Sequence, residues 1–102
     1  MGFDCSGFVQ IIFRLGNINL ERDSSKQVYQ GKEINDLTDI QVLDLAFFGE
    51  GEKIDHVGII IENNEIIHCS GKVKIDTFYK EGIFSKSQNR ITHKLVTIRR
   101  HT

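Results

Sequence analysis

The residues that could carry chemistry lie at the start and in the middle of this sequence. Cys5 stands between Asp4 and Ser6 near the amino terminus, and two histidines, His56 and His68, follow much later. A cysteine nucleophile needs a base that takes its proton and a further group that orients the base. Together the thiol and the two imidazoles are the components of a site for acyl transfer.

The segment after Cys5 predicts a helix. Apolar side chains at i, i+3, i+4 and i+7 indicate that it runs from Cys5 to Leu15 and that its buried face is formed by Phe8, Ile11, Ile12 and Leu15. A helix amino terminus lowers the pKa of a thiol through the backbone dipole, and its N–H groups can stabilise an oxyanion. We therefore predict a reactive thiol at Cys5. The alternative is a buried apolar cysteine.

The histidines fall on segments that predict strands. His56 begins an apolar strand after the polar segment 50–55, and the alternative is an exposed loop histidine. His68 interrupts an apolar strand, and a buried histidine needs a partner for each ring nitrogen. A hydrogen bond between the two rings would supply one of these partners. His93 and His101 lie in polar segments and are assigned no role.

This pairing constrains the hairpin between the histidines. A two-residue turn at 63–64 would set His68 opposite Ile59, on the face of the sheet that His56 does not share, because strand side chains alternate. We therefore predict an odd-length loop, with Asn63 or Asn64 left-handed, or a β-bulge. Either would set His68 opposite Gly58 and bring the rings within hydrogen-bond distance.

Two other uses of the same residues are weighed. Cys5, His56 and His68 are possible zinc ligands, but their spacing matches no zinc motif. Cys5 and Cys69 could form a disulfide in an oxidising compartment. We expect neither, and we expect that no cofactor is required.

The composition describes one ordinary domain. The chain has 102 residues, of which 39% are hydrophobic and 26% charged, and its net charge of −1 combines 13 basic with 14 acidic residues. This balance argues against a nucleic-acid partner. The sequence contains no apolar run near the ~18 residues of a membrane span and no signal-peptide pattern.

Helices precede strands along the chain, which predicts an α+β fold with an antiparallel sheet. Asp23 or Ser24 can cap a short second helix through Gln27 to Gln30, and 32–43 and 85–90 are predicted loops. The predicted strands are 45–49, 57–62, 65–69, 73–76 and 95–99.

Several segments, taken in order, resemble the NlpC-type cell-wall cysteine peptidases. They cover nearly the whole chain: Asp4-Cys5-Ser6-Gly7-Phe8-Val9-Gln10, Arg22-Asp23-Ser24-Ser25 with Gln27, Asp44-Leu45-Ala46-Phe47-Phe48, His56-Val57-Gly58-Ile59 and Ile67-His68-Cys69-Ser70-Gly71. The segment 70–76 is similar to that of the members that cleave γ-D-glutamyl–diamino acid bonds in peptidoglycan peptides.

The resemblance implies a papain-like α+β fold, with an N-terminal helix that carries the nucleophile packed on an antiparallel β-sheet. It implies that Cys5 is the nucleophile, His56 the general base and His68 the orienting residue. It also implies positions that hold the free amine and the D-glutamyl part of the substrate, namely Asp4, Ser6 and Ser24.

Members of this family normally carry a helix and a Tyr-containing Trp-Gly-Gly segment ahead of the cysteine motif, often after Src-homology-3-like barrels. We therefore interpret 1–102 as a catalytic domain truncated at its amino terminus. The resemblance implies peptidoglycan peptides as partners and a periplasmic or secreted location. Two alternatives stay open: an acyltransferase or amidase on the same fold, and an inactive muropeptide-binding fragment.

Overall fold

A computed structural model describes residues 4–62 and 64–101 of the chain. Its helices are α1 (Cys5–Leu15), α2 (Ser24–Gln27) and a short 3-10 helix (Leu37–Asp39). Its strands are β1 (Lys32–Ile34), β2 (Leu45–Glu50), β3 (Lys53–Glu62), β4 (Glu65–Ser70), β5 (Lys72–Tyr79), β6 (Gly82–Ser85) and β7 (Arg90–Arg100). Asn63, one of the two predicted turn residues, lies outside the described residues.

The strands form one antiparallel sheet that closes into a barrel. The order is β1-β7-β2-β3-β4-β5-β6, and β6 also pairs with β7, so that β2 to β7 form a ring with β1 added beside β7. The predicted α+β class with an antiparallel sheet is confirmed. Closure of the sheet is a feature that the strand pattern of the sequence does not reveal.

Two apolar clusters lie on opposite faces of the sheet. One contains Val9, Phe13, Leu20, Val28, Leu45, Phe47, Val57 and Ile59, and the other contains Ile34, Ala46, Phe48, Ile60, Ile66, Phe78, Ile83 and Ile98. Because successive strand residues point to opposite faces, β2 and β3 contribute to both clusters. This double burial explains why these strands are apolar without interruption at their centres.

Helix α1 has the predicted range but not the predicted buried face. Ser6, Gly7, Val9 and Phe13 are its buried residues, whereas Ile11, Ile12 and Leu15 are 41%, 39% and 81% exposed. Apolar side chains occur on more than one side of this helix, so periodicity alone could not select between them. The sheet packs against the side of α1 that carries Val9 and Phe13.

The strand limits differ from the prediction mainly at the edges of the sheet. β1 and β6 were not predicted, and β5 and β7 are longer than the predicted strands 73–76 and 95–99. Helix α2 ends at Gln27, before the predicted end at Gln30. Such short or polar strands form because a longer neighbour supplies hydrogen bonds, which a local pattern does not record. Among the described residues, no helix is both long and apolar enough to cross a membrane.

Candidate active site

Cys5 is the first residue of α1, and Asp4 caps the helix. The Asp4 carboxylate accepts a hydrogen bond of 2.7 Å from the Gly7 backbone N–H. The Cys5 thiol is free, and its Sγ lies 4.0 Å from the carbonyl oxygen of Asp55. The thiol therefore faces the peptide bond that joins Asp55 to His56.

The two histidines and a carboxylate form a continuous hydrogen-bonded chain. His56 Nε2 lies 2.9 Å from His68 Nδ1, and His68 Nε2 lies 2.9 Å from Asp76 Oδ2. The other Asp76 oxygen accepts a bond of 3.1 Å from the Lys86 backbone N–H. His56, His68 and Asp76 are all buried, with exposed fractions of 5%, 0% and 4%. The chain is therefore a shielded network anchored at the backbone.

The carboxylate determines the tautomer of each ring. Asp76 can only accept when ionised, so His68 Nε2 carries the proton and His68 Nδ1 is the acceptor. His56 then donates from Nε2 to His68, which leaves His56 Nδ1 without a proton in the neutral ring. The arrangement prepares His56 Nδ1 to act as a base.

The predicted β-bulge between the histidines is confirmed. His68 pairs with Gly58, and the register then shifts so that Glu62 pairs with Glu65 and Ile61 is the extra residue. A regular two-residue turn without this extra residue would place the two histidine side chains on opposite faces of the sheet. His56 and His68 therefore project from the same face of the sheet, where their rings meet.

Gly58 gives His68 room to approach. A Cβ added at Gly58 would lie 2.7 Å from Ile66 Cδ1, so that the Ile66 side chain would have to move, and 3.1 Å from His68 Cβ, a tight contact. This glycine belongs to the motif that begins at His56. Its role is to leave space across the strand pair for the second histidine.

A second bulge places His56 itself. Phe48 pairs with His56 and Gly49 with Ile54, so Asp55 is the extra residue of β3. Bulges occur next to active sites because they redirect a side chain and twist the strand. At this bulge the Asp55 carbonyl turns toward Cys5 while the His56 ring enters the same face as Phe48.

Asp76 is a member of the site that the sequence reasoning missed. It lies in β5, opposite Ile66 and diagonal to His68 across the β4–β5 pair. The sequence signal for it is weak, because Val73 and Ile75 are 44% and 45% exposed while Asp76, on the opposite face of β5, is buried and needs a partner. Without the β4–β5 register, that partner could not be identified.

His93 also belongs to this cluster, although the sequence assigned it no role. Its ring stacks on the His56 ring with centroids 4.1 Å apart and an interplanar angle of 22°. It also contacts the His68 and Phe48 rings at 5.9 Å and 6.2 Å. His101, the other unassigned histidine, lies elsewhere, edge-to-face against Phe13.

Burial keeps the thiol and the imidazole neutral. Desolvation, aided by neighbouring imidazoles, lowers the pKa of His56 to about 3. Desolvation raises the pKa of the Cys5 thiol above its usual value, against opposing backbone hydrogen bonds. The predicted lowering of the thiol pKa is therefore wrong, because desolvation outweighs the opposing backbone hydrogen bonds. Alkylation of Cys5 near neutral pH is expected to be slow.

The pKa values along the rest of the chain fit the same tautomers. Burial lowers the pKa of His68, although its bond to Asp76 opposes this shift. Burial alone would raise the pKa of Asp76, but hydrogen bonds from His68 and the Lys86 N–H outweigh it and lower the value. An ionised carboxylate therefore faces neutral imidazoles.

Two of the three predicted substrate-binding residues, Asp4 and Ser6, flank Cys5 and bind Arg22. Arg22 binds the Asp4 carboxylate through two hydrogen bonds, of 3.1 and 2.8 Å, and donates a third, of 3.1 Å, to Ser6 Oγ. The Arg22 bond lowers the pKa of Asp4. Ser24 is the buried first residue of α2, and α2 is joined to α1 by a 3.1 Å bond from Gln27 to the Ser6 carbonyl.

No group of three or more histidine, cysteine, aspartate or glutamate side chains in the described part of the chain has the geometry to hold a metal ion. The buried nitrogens and oxygens of the histidine chain are instead used by each other.

Comparison with known proteins agrees with this architecture. The profile of the NlpC/P60 family matches residues 1–94, and the chain belongs to this family. It is 36% identical over 81 residues to the probable endopeptidase p60 of Listeria seeligeri, covering 78% of the chain and 15% of that protein. It is 40% identical over 70 residues to the murein DD-endopeptidase/murein LD-carboxypeptidase MepS of Escherichia coli, covering 68% of the chain and 37% of MepS.

A solved structure gives the same fold. The peptidoglycan hydrolase RipB of Mycobacterium tuberculosis superposes with a TM-score of 0.74 at 26% identity, covering 97% of this chain and 45% of RipB. The chain thus spans less than half the length of each of these three proteins.

Proposed function

We propose that residues 1–102 form the catalytic domain of a cysteine endopeptidase that hydrolyses γ-D-glutamyl–diamino acid amide bonds in peptidoglycan stem peptides. The observation that carries this proposal is the buried chain from Asp76 through His68 to His56, together with a thiol at the start of α1 that lies 4.0 Å from the carbonyl oxygen of Asp55, the residue before His56. Membership of a family whose relatives are named as endopeptidases and a peptidoglycan hydrolase supports the substrate class. A papain-like arrangement of helix and sheet is part of the proposal.

Cys5 is the nucleophile, His56 the general base and His68 the orienting residue. His56 Nδ1 takes the thiol proton as Cys5 Sγ bonds to the γ-carbonyl carbon of D-glutamate. The resulting imidazolium is stabilised through His68 by the Asp76 carboxylate.

The first backbone N–H groups of α1 have no partner within the helix, and we assign that of Cys5 to the oxyanion. The tetrahedral intermediate then breaks its C–N bond, and His56 returns the proton to the leaving amine. Water attacks the thioester with its proton taken by His56 Nδ1, which finally reprotonates the thiolate. Each cycle restores the neutral pair and consumes one water.

Asp4, Ser6 and Ser24 hold the amino-terminal side of the substrate in this proposal. The Asp4 side chain remains 57% exposed while it binds Arg22, so its carboxylate can also face a substrate ammonium group. A free L-alanine amine is a cation and needs an anionic partner. The carboxylate beside the nucleophile meets that requirement.

Replacement of the nucleophile tests the function. Cys5→Ser is expected to lower hydrolysis of an L-alanyl-γ-D-glutamyl-diamino acid peptide by roughly 10³-fold or more, with an unchanged circular dichroism spectrum. Cys69→Ser, in the buried strand residue beside His68, is the matched control and should retain most of the activity. Loss of activity in folded Cys69→Ser with retention in Cys5→Ser would contradict the assignment. Faster turnover of lipid esters or polyamides than of the γ-D-glutamyl peptide would favour the acyltransferase alternative.

A further inference from the structure

The stacked ring of His93 is the feature of the site that the proposed mechanism does not use. We propose that His93 is a positioning residue that fixes the plane of the His56 ring and covers one of its faces from water. This inference rests on the proposed function for its consequence in catalysis, but the contact it invokes is independent of that function.

A β-bulge in β7 orients the His93 side chain toward the His56 ring. Ile83 pairs with His93 and Phe84 with Ile91, so Thr92 is an extra residue and makes a β-bulge directly before the histidine. The Thr92 hydroxyl lies 2.9 Å from His93 Nδ1 and holds the ring. A bulge and a hydrogen bond at adjacent residues constrain both the strand and the side chain.

The contact restrains a ring whose hydrogen bond to His68 lies at one edge. His56 is bonded to His68 through Nε2, and a tilt about that bond would change the direction of Nδ1, the atom that acts as the base in the proposed mechanism. A near-parallel ring at 4.1 Å opposes such a tilt, and Phe48 lies against His56 at 5.9 Å. Because misplacement of a reacting atom by about 1 Å can cost two orders of magnitude in rate, this restraint bears on kcat.

The His93 ring also separates His56 from a surface cavity. A cavity of about 280 Å³ opens on the other side of His93, between β2, β3 and β7. Removing the imidazole would extend this cavity to the His56 ring. Desolvation is the main cause of the low His56 pKa, so loss of the cover would raise that pKa.

Other charged and titratable groups face the pair from the surrounding strands and from α1. They are His68 on β4, Lys74 and Asp76 on β5, Asp55 on β3, Glu50 on β2 and Lys94 on β7, while the Cys5 thiol on α1 lies against the Asp55 carbonyl oxygen. None of these groups is itself altered by a substitution at position 93. A change in His56 behaviour on substitution there can therefore be assigned to the His93 ring.

The test uses three substitutions and one control. His93→Ala removes the ring, His93→Leu fills similar space without a flat face, and His93→Phe restores a flat ring. His101→Ala is the control, since this half-buried histidine follows the same strand but contacts Phe13 and not His56. Two quantities are measured: kcat and KM for the γ-D-glutamyl peptide, and the NMR titration of the His56 ring between pH 8 and 4.

His93→Ala is expected to lower kcat roughly 10- to 100-fold with KM changed less than about twofold, and to bring the His56 titration into the measured range. His93→Phe should recover at least about tenfold in kcat over His93→Ala and return His56 to the neutral form throughout. Should His93→Ala not fold, His93→Leu carries the same expectation against His93→Phe.

Two results would overturn the inference. One is that His93→Ala and His93→Leu match His101→Ala in both kcat and the His56 titration. The other is that His93→Phe recovers neither quantity. If the unmodified protein hydrolyses no peptide, the proposed function fails, whereas the His56 titration still decides whether His93 covers the ring.

Discussion

Asp4 and Asp76 each bind a basic side chain at nearly the same distance, in regions of opposite exposure. Asp4 lies 2.8 Å from Arg22, with side chains 57% and 54% exposed, whereas Asp76 lies 2.9 Å from His68, with side chains 6% and 1% exposed. Water screens the first pair and is excluded from the second. The Asp76–His68 interaction is therefore stronger than the Asp4–Arg22 interaction, although the two distances are nearly equal.

The difference separates two tasks around Cys5. The exposed cluster presents charge to a ligand and can exchange partners with it. The buried chain of Asp76, His68 and His56 is shielded from ligands and cannot exchange partners with them. The directions of its hydrogen bonds determine which nitrogen of His56 can accept a proton. Specificity is expected to depend on the first region and the chemical step on the second.

The largest effect is expected from Asp76→Asn. An amide can donate to His68 Nε2 and so reverse both tautomers, which would place a proton on His56 Nδ1. We expect kcat to fall roughly 10²- to 10⁴-fold, as when the carboxylate of a serine-protease triad is replaced, with a stability loss of about 1 to 3 kcal/mol.

Asp44→Asn is the matched control for Asp76→Asn. Asp44 is fully buried and binds Arg100 at 2.8 and 2.9 Å, so its loss should lower stability without a comparable loss of kcat. Equal falls in kcat for the two folded variants would remove Asp76 from the site.

An intermediate effect is expected on acidification. His56, His68, His93 and His101 all have pKa values lowered by burial, so between pH 6.5 and 4.5 the unfolded chain binds more protons than the folded one. The contribution of these histidines to the free energy of unfolding is therefore complete above pH 6.5 and is lost as pH falls. His56, with a folded pKa of about 3, contributes a slope of about 1.4 kcal/mol per pH unit.

Urea unfolding at intervals from pH 7.5 to 4.5 measures this slope, and His56→Gln should reduce it by close to one proton. The lowered pKa of Asp4 confines its contribution to pH values near and below 3.8, outside this window. A stability that is flat or rises on acidification would show that the histidines are not buried as neutral rings.

The smallest effect on stability is expected from Asp4→Asn. Asparagine is also a good helix cap, and the lost ion pair is exposed, so the unfolding midpoint should change little. Cleavage of peptides with a free amino terminus should weaken much more than cleavage of N-acylated ones. Paired kinetics on the two substrates measure this ratio.

Asp36→Asn serves as the control, because Asp36 caps the 3-10 helix through Thr38 and lies in none of the contacts around Cys5. It should leave both rates unchanged. Equal losses on free and acylated peptides in Asp4→Asn would reject the amine-binding role of Asp4 and leave it as a cap and a partner of Arg22.

Local geometry was the part of this protein that could be predicted well. The limits of α1 follow from apolar spacing and its cap, and the bulge at Ile61 follows from the requirement that two histidines share a face. Both inferences need only the periods of a helix and a strand. The resemblance of ordered motifs to one family added the assignment of roles to Cys5, His56 and His68, which remains a prediction.

What could not be predicted depends on which distant segments meet. The buried side of α1 was wrong because the helix has apolar residues on more than one side, and only the packed sheet selects one. The short strands β1 and β6 were missed because their hydrogen bonds come from β7. The lowered thiol pKa was wrong because the degree of burial is not a property of local sequence.

The sequence by itself determined the helix that begins at Cys5 and the alternation of side chains along the strands. It also determined that an extra residue is needed for His56 and His68 to share a face. All three follow from backbone periods within short segments. Only the tertiary structure decided that Asp76 completes the chain and that His93 covers His56. Those two residues reach the site through the β4–β5 register and the closure of the barrel at β7. The physical reason is that strand partners are selected by burial and hydrogen bonding over the whole chain, and no local period contains that information.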